Sequence, residues 1–284
     1  MRILVLGANG MLGHTVVRLL SNDSELEVVG TVRGDGALQR CAEPARRRLI
    51  PGIDVEQPDA LIRVFATVRP QAVINCVGLV KQLALAADPL RAVPINALLP
   101  HRLAGLCQAA DARLIHVSTD CVFTGKKGQY VETDFPDADD LYGRSKLLGE
   151  VDYPHAITLR TSIVGPELAG NHGLLGWFLS QVGPVKGFRR AIFSGLTTVE
   201  LATVIRDLVL PRPELRGLYH VASSPISKFE LLTLFAAAYE KTNEISPDDQ
   251  LVIDRSLNAR RFGESTGYTA PPWPELVRRM REFG

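Results

Sequence analysis

The 284-residue chain is short of cysteine: Cys41, Cys76, Cys107 and Cys121 are widely spaced and form no C-x-x-C pair. That pattern argues against a disulfide framework or a cysteine zinc site and predicts reduced thiols. Net charge is almost absent, at +1, so nothing points to nucleic acid or to an acidic surface as a partner. The only triple basic run, Arg46, Arg47 and Arg48, reads as a solvated face. No apolar run approaches the roughly 18 residues of a membrane span. Met1 leads directly into the first expected strand and leaves no room for a signal peptide, so a cytoplasmic protein with no membrane attachment is expected. No His/Asp/Glu cluster has ligand spacing, which gives no metal. Tandem repeats and low-complexity tracts are absent too. What remains is 46% hydrophobic and 22% charged, an ordinary balance for a soluble chain that can form one large α/β domain or a domain with a smaller partner.

The informative stretch is RILVLGANGMLG at 2–13. Ile3, Leu4, Val5 and Leu6 form an uninterrupted apolar run, which suits a parallel strand covered on both faces. Gly7, Gly10 and Gly13 follow at three-residue spacing, and Val16, Val17, Leu19 and Leu20 then mark one face of a helix. A strand, a glycine turn and a helix N-terminus make a pyrophosphate site, with Asn9, Met11 and Leu12 of the same turn as further contacts. The spacing is G-x-x-G-x-x-G rather than G-x-G-x-x-G, so its weight comes from the strand before it and the helix after it.

A second strand is expected at 26–32. The residue at its end, about 20 past the glycines, is acidic in NAD-binding units. Here it is Arg33, which suits a 2′-phosphate and favours NADP(H) over NAD. A third strand at 49–53 ends in Asp54 and Val55, candidates to flank the adenine. A helix at 58–69 precedes a strand at 72–77, and Cys76, Val77 and Gly78 are candidates to run beside the middle of the cofactor. The segment 88–110 reads as a helix with an early proline kink carrying Asn96, and 113–118 as the next strand. The fold class expected is α/β, a doubly wound parallel sheet of the Rossmann type.

At the end of that last strand stand Ser118, Thr119 and Asp120. Tyr142 and Lys146 follow, four residues apart and so on one face of a helix expected to run through Leu147, Leu148 and Glu150. An ammonium close to a phenol favours its ionised form, which would let tyrosine exchange a proton near neutral pH. Carbonyl reduction needs a hydride donor, an acid for the new oxyanion and a hydroxyl that polarises the C=O. The glycine turn, the hydroxyl cluster and the Tyr-x-x-x-Lys helix supply that set in order.

These pieces resemble the extended short-chain dehydrogenase/reductases, and more closely the dTDP-4-dehydrorhamnose reductase branch with its sugar-nucleotide reductase relatives. The matching motifs are GANGMLG at 7–13, AVINCVG at 72–78, INALLPHRLA at 95–104, VSTDCVFTG at 117–125 and YVETD at 130–134. They continue with YGRSKLLGE at 142–150, LRTSIVG at 159–165, GLTTVELA at 195–202 and GLYHVAS at 217–223. The resemblance implies a triad of Thr119 orienting the carbonyl, Tyr142 as general acid, and Lys146 binding the nicotinamide ribose and tuning Tyr142. It also implies Asp120 as a substrate or proton-network residue. It further implies NAD(P)H-dependent reduction of a keto group, at C4, on a nucleotide-activated deoxysugar of polysaccharide biosynthesis. The chain departs from the pattern in Asn75-Cys76-Val77-Gly78, where relatives show NAAA. It departs again at Ile163, where a tryptophan follows the RTS element, and Trp177 is the candidate to compensate.

On the same scaffold, an epimerase or dehydratase with bound NAD and a non-catalytic NADP-binding regulatory subunit are the competing readings. Residues 1–165 are expected to form the dinucleotide-binding unit with the catalytic residues. Residues 166–284 are expected to form mainly a substrate-binding region, with helices at 173–182, 197–210, 227–240 and 275–282 and some segments returning to the sheet. Asn171, Lys186, Arg189, Arg255 and Arg261 are candidate contacts for a nucleotide diphosphate, since arginine offers paired donors to phosphate oxygens. Asp254-Arg255-Ser256-Leu257-Asn258 resembles a late reductase element and raises Arg255 above the rest. The resemblance also implies a homodimer, through helices at about 88–110 and 142–152.

Overall fold

The structure is a computed structural model that describes the chain apart from residues 42, 82 and 83 and the side chains of 84 and 85. Strands β1 (Arg2–Leu6), β2 (Glu27–Thr31), β3 (Leu49–Ile50), β4 (Ala72–Asn75), β5 (Arg113–Thr119) and β6 (Ala156–Thr161) join Gly217–His220 in one seven-stranded sheet. Its order is Gly217–His220, β6, β5, β4, β1, β2, β3, with every pairing parallel. The order reverses between β1 and β4, and such a switch point opens a crevice at the carboxyl ends of the strands.

The apolar run of β1 divides its side chains between two cores. Ile3 and Val5 pack with Val16, Val17 and Leu20 of α1 (Met11–Leu20) and with Leu201 and Val204 of Thr198–Val204. Leu4 and Leu6 pack with Leu61, Val64 and Phe65 of Pro58–Val68 and with Leu99 and Leu103 of Leu99–Ala109. Burying both faces is what makes an uninterrupted apolar strand favourable. Gly217–His220, from the last third of the chain, completes this sheet. A third core, including Leu175, Phe178, Phe235, Trp273 and Met280, lies under the small sheets of the C-terminal region.

Several boundaries differ from the sequence reading. The third strand stops at Ile50, because Gly52 adopts φ 75° and turns the chain, leaving Ile53 to bond outside the ladder through Val32 O. The kink expected in 88–110 is instead a widened turn. The α-helix Pro89–Ala92 passes into a π segment, Val93–Leu98, before Leu99–Ala109 continues. Pro94 has no N–H for an ordinary helical bond, and a π turn absorbs the mismatch. This widened turn carries Asn96, whose side-chain oxygen accepts from Leu79 N (2.9 Å) and whose amide donates to Leu79 O and Ser145 Oγ (both 3.2 Å). The loop after β4 is thereby stapled to the helix Leu141–Leu148. That helix ends at Leu148, so Glu150 lies beyond it rather than within it. Helix 197–210 likewise divides into Thr198–Val204 and a π segment, Ile205–Val209, and Arg260–Thr266 is a helix that the sequence reading did not expect.

Gly149 closes the helix Leu141–Leu148 against the π segment: a Cβ there would lie 1.9 Å from the Asn96 carbonyl oxygen. Since backbone cannot yield as a side-chain end can, Gly149→Ala is expected to destabilise the fold by about 1–3 kcal/mol. Urea unfolding followed by circular dichroism measures this, and an unchanged midpoint would contradict the packing described.

Candidate active site

The glycine turn stands over the switch point. Gly7 has φ 79°, and a Cβ on it would meet Val77 Cγ2 at 3.0 Å and the Cys76 carbonyl oxygen at 3.2 Å. A Cβ on Gly13 would lie 2.1 Å from the Gly7 oxygen, so the tight approach of turn and helix requires glycine there. Gly10 caps α1 with extended backbone and no side-chain bond, which leaves the positive helix end free for an anion. Ala8 N donates to Thr31 O (2.9 Å) and ties the turn to the end of β2, with Arg33 exposed two residues further on. Asp54 and Val55 are half-buried in the loop after β3, and Asp54 Oδ1 accepts from Glu56 N (3.0 Å). On the other side of the switch point, Cys76 N donates to Leu6 O and Val77 N to Asn75 Oδ1, both at 3.1 Å. The fold thus brings the turn residues, Arg33, Asp54, Val55, Cys76, Val77 and Gly78 to one edge of the sheet. The cradle fits a dinucleotide, since the uncapped end of α1 leaves backbone N–H groups free for a phosphate.

Asp140 starts the helix Leu141–Leu148 by accepting from Gly143 N (2.8 Å), which places Tyr142 in its first turn. Lys146 is 5% exposed and its Nζ donates to the Val117 carbonyl of β5 (2.8 Å). Burial lowers this ammonium to a pKa of about 8, opposed by the charge of Glu150. The space beside Gly78 opens onto the same amine, with Lys146 Nζ 4.0 Å from where a Cβ would sit. Thr119 at the end of β5 donates to Asp120 Oδ1 (3.2 Å) and accepts from Cys121 N (3.1 Å). The sequence argument expects the ammonium to ease ionisation of the phenol. In the structure, burial dominates and pushes the Tyr142 pKa up. Cys121 and Asp120 add to the rise, and Thr119, within hydrogen-bonding reach, opposes it. Tyr142 is therefore held protonated at neutral pH, as a proton donor must be.

On the substrate side Asp120 is buried, and burial raises its carboxyl pKa against the pull of Arg255, the bonds from Cys121 and Thr119, and Lys228. Arg255 Nε donates to Phe123 O (2.7 Å). Its segment is clamped to the loop after Asp120 by Asp254 N to Gly125 O (2.8 Å) and Tyr130 N to Ser256 O (2.9 Å). Lys228 was missed by the sequence reading. It opens the helix Lys228–Ala238 behind a capping box of Ser227 and Glu230. Burial lowers its pKa, with Asp120 raising it and Arg255 lowering it. A cation at a helix N-terminus opposes the macrodipole, and that broken local rule was the available signal.

Among the described residues, no hydrogen bond or ion pair joins the other candidates to this cluster. Lys186 pairs with Asp248 at 3.0 Å, and Arg189 pairs with Asp249. Arg261 lies over the Tyr219 ring (4.7 Å) in a cleft of about 570 Å³ that also holds Asp152 and Glu214. Asn171 is exposed before Gly173, where a Cβ would meet Met11 Cε at 2.4 Å. Ile163 is half-buried in a two-residue strand, and Trp177 is 37% exposed. Among the described residues no group of three or more His, Cys, Asp or Glu could hold a metal, and no helix is long and apolar enough to cross a membrane. Burial holds the Cys76 and Cys121 thiols protonated, with pKa values raised to about 12.

Beneath Thr119 runs a buried polar row. Arg160, 1% exposed, donates to Glu150 through Nε (2.9 Å) and Nη2 (2.5 Å) and to His220 Nε2 through Nη1 (2.9 Å). Ser118 Oγ donates to Glu150 Oε1 (2.7 Å). Guanidinium only donates, so His220 is the Nδ1–H tautomer, giving its proton to Tyr130 O (3.0 Å).

A dinucleotide cradle beside a Thr-Tyr-Lys cluster defines a Rossmann-type oxidoreductase scaffold of the extended short-chain dehydrogenase/reductase kind. The RmlD substrate binding domain model matches residues 1–265, and the chain belongs to that family. It is 32% identical over 269 residues to a probable low-salt glycan biosynthesis reductase, Agl14, of Haloferax volcanii, covering 90% of this chain and 83% of that one. A dTDP-4-dehydrorhamnose reductase of Aggregatibacter actinomycetemcomitans is 25% identical over 240 residues, covering 79% of this chain and 74% of that one. The crystal structure of dTDP-4-dehydrorhamnose reductase from Bacillus anthracis in complex with NADP shares the fold. Its TM-score is 0.80 at 22% identity, with 98% of this chain and 96% of that chain covered.

Burial and the Arg160 charge lower the His220 pKa from 6.5 to about 3. The folded state therefore favours the neutral ring. Its contribution to stability is complete above pH 6.5 and is lost as the pH falls from there towards 3. His116, buried in β5 with its Nε2 unpartnered, is shifted the same way by burial. The melting temperature is expected to fall between pH 7 and pH 5, less steeply in His220→Gln; equal slopes would contradict the assignment.

Proposed function

We propose that the protein reduces a keto group, at C4, of a nucleotide-activated deoxysugar with NADPH. The observation that carries the reading is the convergence of Tyr142, Thr119 and Lys146 beside the glycine cradle. Gly7, Asn9, Gly10, Met11 and Leu12 would hold the pyrophosphate, Asp54 and Val55 the adenine end, and Cys76, Val77 and Gly78 the middle. NADPH supplies the hydride when bound. As the carbonyl carbon accepts it, the C=O pair moves to oxygen and Tyr142 donates its proton there. The phenolate left behind is stabilised by the Lys146 ammonium, and Thr119 holds the carbonyl by a hydrogen bond. Ketone, NADPH and a proton thus give alcohol and NADP⁺. The relatives named as reductases support this reading.

The charges of Lys228 and Arg255 act on Asp120, and we read 1–165 as the cofactor part and 166–284 as the substrate part. In this reading the two cations and Asp120 face the sugar nucleotide, while Asn171 and Lys186 lie further out along the substrate. A dehydratase would need a second acid after Asp120. That position is Cys121, held as a neutral thiol by burial. We also read the protein as a homodimer through 88–110 and 142–152. Supporting this, Leu98 and Leu148 on these two segments are exposed.

Tyr142→Phe is expected to lower NADPH oxidation by roughly 10²–10⁴-fold with NADPH binding retained; unchanged turnover would refute the role. Arg33→Asp is expected to weaken NADPH against NADH by about ten- to a hundredfold, the size of one charge-assisted hydrogen bond, and an unaltered cofactor ratio in steady-state kinetics would remove Arg33 from the 2′-phosphate site.

A further inference from the structure

We propose that Ser118, Glu150, Arg160 and His220 form a positioning row that sets the separation of Thr119 from Tyr142; this rests on the reductase reading above. The first argument is register. Ser118 of β5 and His220 of the edge strand are both Cα partners of Arg160 in β6, so three neighbouring strands present one polar residue each at the same level. That level is one residue below Thr119.

The second argument is the way the row reaches the helix. Lys146 Nζ bonds Val117 O, and Glu150, just past the helix end, bonds Ser118 Oγ. Consecutive residues of β5, directly before Thr119, are therefore latched to Lys146 of the helix that carries Tyr142 and to Glu150 just past its end. Arg160 fixes Glu150 by a two-pronged contact, so the latch cannot swing.

The third argument is where the row ends. The Arg160 guanidinium lies over the Phe123 ring (5.1 Å), Phe123 stacks on Tyr130 (4.0 Å), and His220 Nδ1 donates to Tyr130 O. Phe123 O is in turn the acceptor for Arg255. One connected set of groups thus holds the helix with Tyr142, the strand end with Thr119 and the loop with Arg255. A buried ion pair is weak evidence for stability, because apolar residues of similar volume often serve as well. Register is the property that apolar substitutes would lose.

The test uses Ser118→Ala, which removes the latch hydroxyl and leaves the Arg160–Glu150 pair whole, with Ser118→Thr restoring the hydroxyl. A merely structural hydrogen bond would lower the melting temperature by about 2–4 °C and leave kcat intact. A positioning role is expected to lower kcat about ten- to a hundredfold, with the NADPH Kd and the KM for the keto-sugar unchanged within about twofold, and to recover in Ser118→Thr. A kcat in Ser118→Ala equal to that of the parent overturns the proposal. Crystals of the NADPH-bound parent and Ser118→Ala proteins decide independently of turnover: the Thr119 to Tyr142 hydroxyl separation is expected to grow, and an unchanged separation overturns the row. Absence of turnover in the parent would instead remove the reductase reading, with the crystallographic distance still deciding the positioning role.

Discussion

A buried ammonium tied to a strand carbonyl is the constraint on which the site depends. Lys146 Nζ finds its protein acceptor at Val117 O, and that bond holds the helix bearing Tyr142 against the carboxyl end of β5. Burying a cation with so few partners is unfavourable, and the lowered pKa of Lys146 records it. The fold tolerates this because the widened turn at Val93–Leu98, the Asn96 staple and the close approach of Gly149 leave the helix little room to move.

Much of this was legible in the sequence where the signal is local. The apolar run of β1, the glycine spacing and the four-residue interval from Tyr142 to Lys146 follow from backbone geometry, and each lies where the pattern puts it. The π segment was not legible, because Pro94 signals a disturbance without saying whether the helix kinks or widens. Lys228 escaped because its meaning comes from Asp120 and Arg255, far away in sequence. The direction of the Tyr142 shift was misjudged for a related reason. A charge four residues away is visible in a sequence, while the burial that outweighs it is a property of the assembled fold.

The substrate side shows how one scaffold can be retuned. Where the branch places an aromatic residue after the RTS element, this chain has a half-buried Ile163. Near Asp120 the structure holds charge, with Arg255 braced by Phe123 O and Lys228 at a helix start where the dipole disfavours it. Recognition by hydrogen bonds and charge is directional, and leaving such groups unpaired is costly, so under the proposed function this arrangement would favour polar groups on the sugar over ring stacking. The buried row of Ser118, Glu150, Arg160 and His220 lies one residue before Thr119 along β5.

The most direct test of the account follows the hydride itself. With NADPH deuterated at the nicotinamide C4 position and a 4-keto-6-deoxy nucleotide sugar, the account gives one deuterium on the new carbinol carbon for each NADP⁺ formed, read by NMR of the product. Product without deuterium at that carbon, or deuterium entering the sugar with no net NADP⁺ formed, would contradict it.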